Sequence, residues 1–227
     1  MISTIVNALV VIIGSMIGIA FRSKLSKRYT KTITQGLGLC VIVIGVSAAM
    51  ESANMIISIV SVSIGSLIGT WLDIEGKLDH MGDCLQNRFA KDDENGNFAK
   101  GFVTASLMFC VGAMAIVGSM DAALRGDHST IYAKSILDFV TSIFFAGTYG
   151  LGVMASALTV LVYQGAIVLL SKFVEPILTT AVITEMGAVG GVLIIGVGMN
   201  VLRREHTFIG NMLPAILIPA LIMPFIK

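Results

Sequence analysis

The strongest chemical signal in the chain is a lysine and an aspartate four residues apart at the head of a long apolar run. Lys134 and Asp138 open the stretch KSILDFVTSIFFAGTYGLG. Residues at this spacing share one face of a helix, so the ammonium and the carboxylate can pair. A carboxylate kept from bulk water is suited to binding a cation or a proton. A purely structural ion pair, whose lysine reaches outward to water, is an equal alternative.

The composition places this pair in a membrane protein. The 227 residues are 56% hydrophobic and 13% charged, and the mean hydropathy is +0.91. Soluble domains carry about 25% charged residues, so this chain has too few charged residues to cover a surface exposed to water. We expect the lipid bilayer as its partner. The net charge of +1 argues against nucleic acid as a partner, because a global basic field is absent.

Charge-free runs of about 20 residues mark the elements that must position the pair, because one helical crossing needs that length. The pattern predicts an all-α fold, a polytopic membrane helical bundle within a single membrane domain, 1–227. The charge-free runs are 2–21, 32–50, 52–72, 101–120, 186–202 and 207–226.

The stretch that follows Asp138 is harder to divide. It holds 33 uncharged residues before Lys172, too many for one crossing and too few for two. Two full spans fit if the first begins near Ile131, with Asp138 inside it. The alternative keeps Asp138 outside and makes one segment a half-helix. The total is then about 8 transmembrane helices, or 7 if the proline-interrupted run 207–226 does not cross.

The basic residues predict the orientation. Of the 15 lysines and arginines, 11 fall in connections on one side of an eight-span bundle, and such residues favour the cytoplasm. We therefore expect a bacterial inner-membrane protein with its N-terminus outside and with loops 22–31, 73–100 and 203–206 cytoplasmic. The second of these loops is predicted to hold an amphipathic helix and a polar turn.

Two short phrases suggest helix packing and internal repeats. IGSMIG at 13–18 returns as IGSLIG at 64–69, and both carry glycines four residues apart, which let helix backbones approach closely. A longer echo joins 34–51 to 104–121, so the spans are interpreted as duplicated helix hairpins. The predicted helix-packing residues are Gly14, Gly18, Gly65 and Gly69.

Amides in the apolar runs complete the set of candidate permeation or ion-binding residues. They can hold helices together by hydrogen bonds, which is the more common role, or line a path for an ion. Gln164, from the adjacent span, is a predicted partner of Asp138. The candidates are Asp138, Lys134, Gln164, Asn200 and Asn7.

No enzyme is predicted. The three histidines are scattered over connections on both sides of the bundle, so no metal site is expected. No cofactor-binding pattern stands in a suitable context, and acid–base groups do not cluster at an interface.

Several phrases resemble a known family over nearly the whole chain. They include WLDIEGKLDHMG (71–82), GFVTASLMFCVGAMAIVGS (101–119), AKSILD (133–138) and GGVLIIGVGMN (190–200). In these phrases the chain is similar to the YqgA-like family of uncharacterised bacterial inner-membrane proteins. The resemblance implies a membrane architecture and no particular activity.

Two classes of function therefore remain open. The first is a small transporter or channel for an ion or solute that the sequence does not identify, favoured by the repeats and the buried polar groups. The alternative is a non-transporting scaffold or regulator that recruits a partner through 73–100. A homo-oligomer is also expected, because eight short helices enclose little interior space.

Overall fold

Helices make up the whole architecture of the part of the chain that the structure, a computed structural model, describes. That part comprises residues 1–22, 27–78, 80, 84, 97–110, 113–176, 178–202 and 207–223. The elements are α1 (Ile2–Arg22), α2 (Lys27–Ala49), α3 (Met55–Leu72), α4 (Asn97–Cys110), α5 (Ala113–Leu124), α6 (Ser129–Tyr149), α7 (Leu151–Val174), α8 (Thr180–Leu202), a 3-10 helix (Gly210–Leu217) and α9 (Ile218–Ile222).

The membrane helical bundle predicted from the sequence is confirmed. Within the described residues, five helices are long and apolar enough to cross a bilayer: α1, α2, α3, α7 and α8. Helices α4 and α5 pass the same test together as one span bent by 58°, which gives six. The count of eight stays a prediction, since it also needs the more polar α6 and the C-terminal segment to cross.

Proline shapes the C-terminal segment in the way the sequence indicates. The chain forms a 3-10 helix around Pro214 and then the five-residue helix α9, with Pro219 near its start. Proline lacks the N–H that an α-helix interior uses and its ring clashes with the preceding turn. A long, regular helix is therefore interrupted here.

The helices associate in pairs, and the residues in contact give their relative directions. Helix α1 runs parallel to α6, and α4 runs parallel to α7. Helix α2 packs antiparallel to α8, and α3 packs antiparallel to the 3-10 helix. Of the candidate spans, α8 is the most enclosed, because 72% of its most apolar 18-residue stretch is buried, against 22% for α2. Helix α8 therefore forms the centre of the bundle.

The four glycines of the IGSxIG phrases lie at close helix contacts. A Cβ atom on Gly14 or Gly18 would overlap backbone or side-chain atoms of α6, and one on Gly65 or Gly69 would overlap the 3-10 helix. Small residues allow this approach because no side chain separates the backbones. The two phrases contact unlike partners, one a parallel helix and the other an antiparallel one.

The turn between α6 and α7 is a single glycine. Gly150 has φ +75°, in the left-handed region that side chains other than glycine rarely adopt. Its N–H donates to the carbonyl of Ala146 (2.8 Å), and α7 begins at the next residue. The turn separates α6 from α7, and Asp138 lies near the middle of the 21 residues of α6.

All three predicted cytoplasmic loops lie wholly or partly outside the described residues. Residues 23–26 of loop 22–31 and residues 79, 81–83 and 85–96 of loop 73–100 are outside, and so is all of loop 203–206. Residues 74–78 are helical, as the amphipathic pattern indicates for the start of that loop.

Candidate functional site

The Lys134–Asp138 pair forms inside the protein. The Lys134 ammonium donates a hydrogen bond to the Asp138 carboxylate across one turn of α6. Each side chain keeps less than a tenth of its surface accessible. A buried charge is costly unless it is paired, and each of these residues is the counter-ion of the other.

Helix α1 supplies the third member of the site. Asn7 is completely buried, and its Nδ2 donates to the Asp138 carboxylate oxygen that also accepts from Lys134, at 3.1 Å. Its position follows from the parallel packing of α1 and α6, which the small residues on α1 allow. We define the buried centre as Asn7, Lys134 and Asp138.

Gln164 does not bond to Asp138, contrary to the partnership predicted from the sequence. It lies on α7, completely buried, and neither its amide nitrogen nor its amide oxygen has a hydrogen-bond partner within the described part of the chain. The amide that Asp138 uses comes from α1 instead, 131 positions away in sequence. Nothing local in the sequence marks so distant a pairing.

Asn200 has a local bonding pattern. Its amide nitrogen donates to the carbonyl of Thr207 and its amide oxygen accepts from the N–H of Thr207, both at 2.8 Å. These bonds connect the end of α8 to the segment before the 3-10 helix. Neither of them joins Asn200 to the buried centre.

The break between α4 and α5 approaches the buried centre. Cys110, the last residue of α4, lies close enough to Lys134 and Asp138 for both charges to act on its thiol. It also lines a cavity of about 290 Å³ between α4, α7 and the 3-10 helix. The cavity wall is mostly apolar and includes the hydrogen-bonded hydroxyls of Ser106 and Thr159 (3.1 Å).

A second polar contact joins α1 to the start of α6. His128 Nδ1 and Ser3 Oγ lie 3.0 Å apart, and the histidine is half-buried while the serine is completely buried. The neighbouring Asp127 is exposed, and the backbone N–H of Ser129 donates to it (2.9 Å). This hydrogen bond lowers the pKa of Asp127 below its usual value, because it stabilises the carboxylate form.

Glu185 and Glu75 are also buried, but within the described part of the chain their partners are hydroxyl and backbone N–H groups and not a lysine. Glu185 accepts hydrogen bonds from the Ser52 hydroxyl (2.7 Å) and from the N–H groups of Ala53 (2.8 Å) and Asn54 (3.2 Å). These bonds connect the start of α8 to the residues that precede α3.

We expect Glu185→Ala to lower the free energy of unfolding by about 1.5–3 kcal/mol, since hydrogen bonds to a charged group contribute on this scale. Thermal unfolding in detergent measures the effect. Glu175→Ala is the matched control because Glu175 is exposed. Equal melting temperatures for the two variants would contradict the anchoring role of Glu185.

No group of three or more histidine, cysteine, aspartate or glutamate residues in the described segments could hold a metal ion. The buried centre offers one carboxylate with an amide and an ammonium.

Comparison with known sequences decides the family. Residues 2–224 match the family model described as "Protein of unknown function (DUF554)". The chain belongs to this family. The uncharacterized membrane protein YdfK of Bacillus subtilis (strain 168) is 34% identical over 227 residues, covering 98% of this chain and 96% of YdfK. YqgA of Escherichia coli (strain K12) is 28% identical over 216 residues, covering 94% and 92%. No solved structure matches the chain.

The resemblance stated from the sequence is thereby confirmed for this member of the DUF554 family. The name of YdfK describes that relative as a membrane protein, which agrees with the apolar helices of this chain. Multi-pass membrane insertion therefore has support from both the fold and the family.

Proposed function

We propose that this protein transports or conducts a small ion or solute across the bacterial inner membrane, with the buried centre as the binding site on the path. The observation that carries the proposal is the ion pair of Lys134 and Asp138, buried between helices of a membrane bundle. Ionisable groups inside membrane proteins typically mark ion or proton pathways.

Energetics favour a functional role over a purely structural one. Each charge placed at the centre of a membrane helix costs about 2.5–3.5 kcal/mol on insertion scales. Well-packed apolar residues usually replace a buried ion pair at no loss of stability. The packing of α1 on α6 already rests on Gly14 and Gly18, so holding these helices together does not require charges.

Two features suggest how an ion could reach the centre. Cys110 interacts electrostatically with both charges and also lines the cavity of about 290 Å³. The contact between Ser3 and His128 lies where α1 and α6 begin. In many transporters the substrate and coupling-ion sites likewise lie among packed helices near the middle of the membrane.

The basic residues support an orientation with the N-terminus outside. We expect cysteine labelling or reporter fusions at positions 27, 92 and 204 to report the cytoplasm, because the three connections around them hold 11 of the 15 basic residues. A periplasmic signal at position 92 would overturn this topology.

Flux through proteoliposomes tests the proposal. The purified full chain is expected to move at least one of radiolabelled sodium, radiolabelled rubidium or protons down an imposed gradient, and Asp138→Asn is expected to abolish that movement. Asp121→Asn is the matched control, since Asp121 forms an exposed pair with Arg125 at the same four-residue spacing. Equal flux in Asp138→Asn and Asp121→Asn would reject the site.

The scaffold alternative rests on segment 73–100. The first described part of this segment bonds within the protein, because the Glu75 carboxylate accepts from the N–H of Gly210 and the Glu75 N–H donates to Asn211. The alternative would be favoured if a variant that has lost transport still binds a cytosolic partner. Homo-oligomerisation belongs to the same proposal and is measured by mass analysis in detergent.

A further inference from the structure

Buried polar side chains of α1 lie between the buried centre and the end of the α1–α6 interface where both helices begin. At one end His128 Nδ1 contacts Ser3 Oγ (3.0 Å), and at the other Asn7 Nδ2 donates to Asp138 (3.1 Å). Ser3 and Asn7 are four residues apart on α1, about 6 Å along the helix axis. Thr4 lies between them and is completely buried. We call these five residues the polar seam.

Two atoms in the polar seam are left with unused hydrogen-bonding capacity. Thr4 Oγ1 and Asn7 Oδ1 are buried and have no hydrogen-bond partner within the described segments. The Asn7 amide cannot be reversed to correct this, because its oxygen would then face the Asp138 carboxylate. Buried polar atoms without partners are unfavourable, and groups of this kind are commonly satisfied by water. Water bound at these two atoms would link the two ends of the polar seam.

The charges of Lys134 and Asp138 determine whether a metal cation or a proton can bind at the inner end of the polar seam. The ammonium of Lys134 already holds the cation position at Asp138, so a metal cation would meet a like charge at close range. A proton needs no space and neutralises the carboxylate itself. His128 is half-buried where α1 and α6 begin and is the ionisable group that contacts Ser3.

We propose that protons enter along the polar seam from His128 and bind Asp138. In this step a hydronium at the entrance gives up one proton and becomes water, and the Asp138 carboxylate becomes a neutral carboxyl group. The Lys134 ammonium thereby loses its counter-ion and is released to bind another anion or to reorient. This inference rests on the proposed transport function and names the coupling ion at the same site.

The ionisable groups around the two ends of the route are few among the described residues. Lys134 on the same helix acts on Asp138, and Cys110 on α4 faces both charges. On α1 the groups that contact Asp138 and His128 are Asn7 and Ser3, neither of which titrates. Near His128 lie Asp127 and the Tyr132 ring, whose centroid is 5.9 Å from the imidazole.

Infrared difference spectroscopy on the full chain in liposomes tests proton binding directly. Lowering the pH of the wild type is expected to produce the carbonyl band of a protonated carboxyl group that is lost in Asp138→Asn. The double variant Lys134→Met/Asp138→Asn should also lack the band, which guards against misfolding of the single variant. A wild type whose spectrum matches that of the double variant throughout the titration would overturn the inference.

The route is tested by the rate at which the band appears after a pH jump. Thr4→Val removes the unpartnered hydroxyl with little change in shape and is expected to slow proton uptake relative to wild type. Thr104→Val makes the same substitution at a buried position on α4 outside the polar seam and should leave the rate unchanged. Equal rates in the two variants would overturn entry along the polar seam.

Two further outcomes separate this inference from the proposed function. If the wild type shows an Asp138-dependent flux of radiolabelled sodium and no carboxyl band, transport stands and the proton inference fails. If the band is present but none of the tested ions crosses the membrane, proton binding stands and the transport proposal fails.

Discussion

Replacing Asp138 with asparagine is expected to lower the free energy of unfolding by about 3–5 kcal/mol, the usual cost of leaving one member of a buried ion pair without its partner. The Lys134 ammonium would then remain buried beside a neutral amide. Lys134→Met should have a similar effect, because it leaves the carboxylate unpaired. Thermal and denaturant unfolding in detergent measure both variants.

The double variant Lys134→Met/Asp138→Asn supplies the control for this experiment. It removes both charges together, so most of the lost stability should return. Additive losses in the double variant would show that the two charges do not stabilise each other, and the buried centre would then need another explanation.

Gly65→Leu is expected to lower the free energy of unfolding by about 3 kcal/mol, at the upper end of the usual cost of overpacking. A Cβ on Gly65 would overlap backbone atoms of Ala215 in the 3-10 helix. Backbone atoms cannot rotate away as a flexible side chain can, so α3 and the C-terminal segment must separate. The melting temperature in detergent reports the loss.

Gly36→Leu is the matched control for this substitution. Gly36 lies on α2, and a Cβ built there meets no atom within 4 Å, so the larger side chain should be tolerated. If Gly65→Leu melts at the same temperature as Gly36→Leu, α3 does not contact the C-terminal segment in the way described.

The sequence predicts the helices well because length and the absence of charge are local properties. Runs 2–21 and 52–72 become α1 and α3 almost unchanged. Run 101–120 contributes to both α4 and α5, with residues 111 and 112 outside the described part of the chain. The angle of 58° between these two helices depends on tertiary contacts, which a single run of residues does not encode.

The candidate site is predictable only where its members are neighbours in sequence. Lys134 and Asp138 are four apart, so helix periodicity alone brings them together. Asn7 joins them through the packing of two distant helices, whereas the sequence pattern predicts Gln164 in that place. The glycines on α1 indicate a close contact, but they do not identify α6 as the partner helix.

The contact between Ser3 and His128, with Thr4 beside it, is likewise not indicated by the sequence. A histidine in a connection is usually a solvated residue, and serine and threonine near a helix start are common. Their significance comes from one geometric fact, which is that α1 and α6 begin side by side and run in parallel.

Flux measured with the folded double variant Lys134→Met/Asp138→Asn is the most direct test of the claim that the buried centre serves transport. Once the unfolding experiment has shown that this variant regains stability, any loss of flux must come from the missing charges. We predict that the double variant, reconstituted at the density of wild type, moves no ion that the wild type moves. Flux equal to that of wild type would contradict the claim and would leave the pair as a structural contact.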